Sequence, residues 1–180
     1  ITWAFLRPLA ASAWHDDLYS LTYEDYNRLL TLTWLLFGVA VCGLISRYSK
    51  TFSGLGFIGL CVTLIGVFLL LCGNIIEFWI ILFQPDYVPI RIGGDNVWPG
   101  AKIGWILHLI GLAFAVVGFF LVGIVLRATL RPILIAIAIL LPFAIVLGNI
   151  IAIGLLFGIA WCLLGNALYR SILDTACDED

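Results

Sequence analysis

Four stretches of this chain are long, apolar and almost free of charge: residues 29–46, 56–83, 102–126 and 132–169. Residues 56–83 hold one charged side chain, Glu77, and residues 132–169 hold none. A helix needs about 20 such residues to cross the ~30 Å hydrocarbon core of a bilayer. Inside that core a helix satisfies its backbone polar groups within its own segment. Composition agrees: 63% of the 180 residues are hydrophobic and 11% charged, against roughly 45–50% and 25% in soluble domains. The expected fold is an all-α integral membrane bundle of about five transmembrane helices, built as one unit.

The last run is too long for one crossing. As a single helix, residues 132–169 would extend about 57 Å. The sequence "LGN" at 147–149 favours a turn, giving spans at about 29–46, 56–83, 102–126, 132–147 and 150–169. One long protruding helix is the alternative. Pro142 should kink the fourth span. Thr22 and Asp25 in "TYED" form an acidic variant of a capping box, so the first helix should begin near Thr22.

Arg47 and Lys50 follow span one, Arg127 and Arg131 follow span three, and Arg170 follows span five. With five spans these lie on one side, in short basic segments expected to be cytoplasmic. Arg7, Arg28, Arg91 and Lys102 lie on the other side, spread over longer segments. Residues 1–27 should then be extracytoplasmic and interfacial, since Trp3, Trp14 and Tyr19 suit that depth; the tail end of a further span is the alternative. Residues 84–101, rich in Pro, Gly and Asp, read as an ordered outer loop. Residues 171–180 read as an acidic cytoplasmic tail. The start at Ile1 and the lack of Met suggest a processed or incomplete chain.

Two glycine ladders stand out. Gly59, Gly66 and Gly73 recur every seven residues in span two, and Gly104, Gly111 and Gly118 do so in span three. Seven residues turn a helix by nearly two full turns, so each ladder lies along one face. Membrane helices use such small residues to bring backbones close. The two antiparallel spans should therefore pack ladder to ladder. Gly154 and Gly158 mark a further packing face on span five.

Glu77 is four residues after Gly73, and His108 is four after Gly104. Each points about 40° from its ladder. In antiparallel helices, equal offsets fall on the same side of the seam. Each is also roughly 9 Å inside the outer boundary at 1.5 Å per residue. Glu77 and His108 are thus expected neighbours. A buried carboxylate gains a partner or a proton. Asn74, one turn below, is a candidate partner for Glu77, and Arg28, Lys102 and Asn149 are others. Trp79, Trp98 and Trp105 should surround the group.

Function is less legible. Net charge is −2, so no basic surface points to nucleic acid. No nucleophile elbow, zinc-binding helix or phosphate-cradling loop occurs. No metal site is indicated: the cysteines Cys42, Cys61, Cys72, Cys162 and Cys177 lack metal-ligand spacing. No cofactor is required by the residues. Three roles remain open. One is a non-catalytic accessory subunit among other membrane protein subunits and lipids. Another is a binding protein for a quinone, lipid or pigment at Glu77, His108 and Asn74. The third is ion or proton transport by a homo-oligomer.

The segments "GNIIEFWIILF" (73–83), "GIVLRATLRP" (123–132) and "GIAWCLLGNALYR" (158–170) resemble those of uncharacterised multi-spanning bacterial membrane proteins. The resemblance covers about residues 56–170. It implies a five- or six-span bundle from a bacterial inner membrane and carries no activity.

Overall fold

A computed structural model describes residues 22–48, 54–83, 99–125, 131–146 and 155–167. They form five helices: α1 (Tyr23–Tyr48), α2 (Gly54–Phe78), α3 (Pro99–Val125), α4 (Arg131–Val146) and α5 (Leu155–Ala167). A 3₁₀ turn, Ile80–Phe83, prolongs α2. There is no strand among the described residues, and the fold is an all-α bundle. Three segments are long and apolar enough to cross a membrane: 23–47, 54–83 and 99–125. The described parts of α4 and α5 are shorter than that length.

Local chemistry sets the helix starts. Thr22 caps α1: its Oγ1 accepts from the Asp25 amide at 3.1 Å and donates to Asp25 Oδ2 at 2.9 Å. The cap satisfies one of the orphan amides of the first turn. Pro99 opens α3 three residues before the expected boundary at 102. Proline suits a first helical turn because the amide it lacks would have no partner there. The α-helical part of span two ends at Phe78 rather than at 83. The chain then tightens, with the Leu82 amide donating to the Trp79 carbonyl at 3.1 Å.

The α2–α3 pair is the spine of the bundle. Its two ladders meet in antiparallel register, Gly59 against Gly118, Gly66 against Gly111 and Gly73 against Gly104. A Cβ added at Gly66 would meet the Ala115 amide nitrogen and would stand 2.6 Å from the Gly111 carbonyl oxygen. One at Gly73 would stand 2.7 Å from the Gly104 carbonyl oxygen. The backbones themselves are in contact, so only glycine fits.

α1 packs on α2 and α4 on α3. Phe37 of α1 joins α5 to the rest: its ring lies 4.6 Å from Trp161 and 5.6 Å from Phe119. This aromatic cluster and the buried aliphatic residues of all five helices form one core.

The same contacts bear on residues 132–169. Ile135 of α4 touches α3 at Gly123, and Trp161 of α5 touches α3 at Phe119, one turn away. In one straight helix, positions 135 and 161 would be about 39 Å apart. α4 and α5 are therefore not halves of a single straight helix. The turn expected at Leu147–Asn149 lies outside the described residues. So do the N-terminal segment, the outer loop up to Trp98, Gly154 and the acidic tail. Pro142 lies within α4. Gly158 is buried in α5, whereas a Cβ added at Gly165 would meet nothing within 4 Å.

Candidate functional site

The buried polar residues Asn74, Glu77 and His108 gather at one end of the bundle, where α1 begins, α2 ends and α3 begins, whereas Thr63 bonds the Gly59 carbonyl nearer the other end. Glu77 and His108 face each other across the top of the glycine seam. His108 Nδ1 stands 3.8 Å from Glu77 Oε2, and each residue is 7% exposed. Their places follow from the missing Cβ atoms opposite. Glu77 Cβ lies 2.7 Å from where a Cβ on Gly104 would be, and His108 Nδ1 lies 2.9 Å from where one on Gly73 would be. Each side chain thus occupies the space that the other helix's glycine leaves free. At 3.8 Å the two interact electrostatically without a direct hydrogen bond. His108 Nδ1 instead bonds the Gly104 carbonyl at 2.9 Å, one turn back on its own helix. Since a carbonyl only accepts, Nδ1 carries the proton of that bond.

Asn74 is fully buried, and its partners are on α1 rather than at Glu77. Its Oδ1 accepts from Thr31 Oγ1 at 2.5 Å, and its Nδ2 donates to the Asn27 carbonyl at 2.9 Å. Trp79 Nε1 in turn donates to Thr31 Oγ1 at 2.8 Å. The result is a chain of bonds from α2 to α1 and back. Thr31 and Asn27 were not singled out in the sequence. Their signal is spacing: Asn27, Thr31, Trp34 and Gly38 fall on one helical face, four and three residues apart. Gly38 on that face lies against Val67 of α2.

Arg28 does not join the carboxylate either. Its Nε donates to the Phe78 carbonyl at 2.9 Å and its Nη1 pairs with Asp25 at 2.6 Å. The guanidinium thereby bonds a carbonyl at the end of α2, where positive charge suits the helix dipole. Lys102 is exposed, and the ion-pair contact of Glu77 is with His108. Trp79 and Trp105 are exposed near the pair. Trp98 and Asn149 lie outside the described residues. No group of three or more metal-ligating side chains occurs among the described residues. The described cysteines, Cys42, Cys61, Cys72 and Cys162, are free thiols.

Asn74→Ala should loosen α1 from α2. Cross-helix hydrogen bonds in membranes contribute about 0.6 kcal/mol on average and up to about 1.7, so two lost bonds should cost about 1–3 kcal/mol. A double-mutant cycle with Thr31→Val in a folding assay in detergent checks this. Non-additive losses are expected; simple additivity would mean that the two side chains are not coupled.

No family model, curated protein or solved structure matches this chain.

Proposed function

We propose that this chain is a non-catalytic structural subunit of a larger membrane assembly, set in a bacterial inner membrane. The observation that carries the reading is the contrast between the two sides of α1. One side, with Asn27, Thr31 and Gly38, is stitched to α2 by hydrogen bonds and close packing. The other presents Leu32, Leu36 and Val39, exposed by 60%, 61% and 69%. These fall on one face with Gly43, where an added Cβ would meet nothing within 4 Å. A rigid bundle whose polar groups hold its own helices together, with a smooth outward face ending in glycine, suits helix-on-helix docking.

Charge supports an orientation. Arg47 ends α1 and Arg131 opens α4, at the end of the bundle opposite Arg28 and Lys102. With the basic short segments cytoplasmic, the Glu77–His108 pair belongs to the outer leaflet.

A photoreactive phenylalanine analogue at Leu36 or Val39, activated in intact cells, tests the docking face. Discrete heavier adducts containing one other polypeptide are expected. Adducts with lipid alone at both positions would reject it.

A further inference from the structure

The contact between Glu77 and His108 couples two titratable groups across the tightest interface of the bundle. Each residue is 7% exposed, and Oε2 stands 3.8 Å from Nδ1. Glu77 is seated against Gly104 and His108 against Gly73, where the backbones of α2 and α3 meet. The other charged groups at this end, among the described residues, are Glu24, Asp25 and Arg28 on α1 and Lys102 on α3. Asp25 and Arg28 neutralise each other at 2.6 Å, and Lys102 is exposed. Glu77 is the one charged residue of α2. The described parts of α4 and α5 carry Arg131 alone, at the opposite end.

Net charge decides what such a pair tolerates. It is neutral overall in two forms, carboxyl with neutral imidazole or carboxylate with imidazolium. Adding a proton to either form leaves a lone imidazolium, and removing one leaves a lone carboxylate. A lone buried charge is costly, and opening this end of the seam to water relieves it. We infer that Glu77 and His108 form a pH-sensitive latch across the α2–α3 seam, firm while the pair is neutral overall and loosened when it gains or loses a proton. The latch belongs to the isolated chain and stands apart from the subunit reading.

The sign of the effect follows from the opened chain, where Glu and His titrate near about 4.3 and about 6.5. Between those values the opened pair is also neutral overall, and stability is highest. Below about 4.3 the opened chain takes up a proton that the closed pair resists, so stability falls as pH falls. Above about 6.5 the opened chain releases a proton that the closed pair retains, so stability falls as pH rises.

The test is unfolding of the full chain in mixed detergent micelles on both sides of that window. The double variant Glu77→Gln/His108→Gln supplies the contribution of all other titrating groups. Relative to it, the unaltered protein should show a bell-shaped profile, its unfolding constant rising by up to about ten-fold per pH unit on each limb. Glu77→Gln should keep only the loss toward acid, and His108→Gln only the loss toward alkali. On the unaltered protein, amides of residues 73–78 and 104–108 should lose hydrogen-exchange protection on leaving the window, relative to those flanking Gly66 and Gly111. That measurement decides the matter where a variant fails to fold. An unaltered profile parallel to the double variant's, single variants that slope the same way, or protection that changes equally at both places would overturn the latch.

Discussion

Gly66→Ala is expected to open the α2–α3 seam. The added methyl carbon would stand against the Ala115 amide nitrogen and 2.6 Å from the Gly111 carbonyl oxygen. Both are backbone atoms of a helix and cannot swing aside as a side chain can. The helices must move apart, and each forfeits close contacts along the seam. Overpacking a well-filled interior typically costs about 1–3 kcal/mol, and the backbone contact places this substitution at or above the upper end. Gly43→Ala and Gly165→Ala make the same chemical change where an added Cβ meets nothing within 4 Å. They should stay within about 0.5 kcal/mol, as surface changes do. Denaturation in mixed detergent micelles compares the three. Equal effects would show that the seam is not backbone-tight.

Phe37→Ala should be the most damaging truncation in the core. The ring is 6% exposed and packs against Trp34, Phe119, Phe157 and Trp161. Those neighbours belong to α1, α3 and α5, so a cavity here uncouples three helices at once. Replacing a buried Phe by Ala costs about 3–5 kcal/mol. The loss should be local in character. Amides of α5 should exchange faster with solvent, while those flanking Gly66 and Gly111 keep their protection. Uniform loss of protection would mean that the bundle opens as one unit, and unchanged α5 amides would mean that α5 docks independently of this ring.

The spine of the bundle was legible in the sequence because glycine is expensive in a helix interior. Six glycines at two matched period-seven ladders have few explanations besides close packing. Once the ladders are paired, the equal offsets of Glu77 and His108 bring the two together with no further information. The partners of Asn74 were not legible on the same grounds. Pairing α2 with α3 says nothing about where α1 sits, and Asn74 points to α1. The partners of Arg28 were not legible for a related reason. A long cationic side chain near a boundary is free to go inward or outward, and what decides is a nearby helix end or water. The end of α2 at Phe78 fell inside an unbroken apolar run, where no residue type marks a stop. The start of α3 was hidden because Trp98-Pro99 reads equally as loop or as a first turn.

The most direct test of the account is purification from native membranes in a mild detergent, with particle mass and polypeptide ratios measured on the same peak. The account predicts a particle much larger than the 19.8 kDa chain, containing other membrane polypeptides in fixed ratio. A stable, monodisperse monomer free of other polypeptides would contradict it.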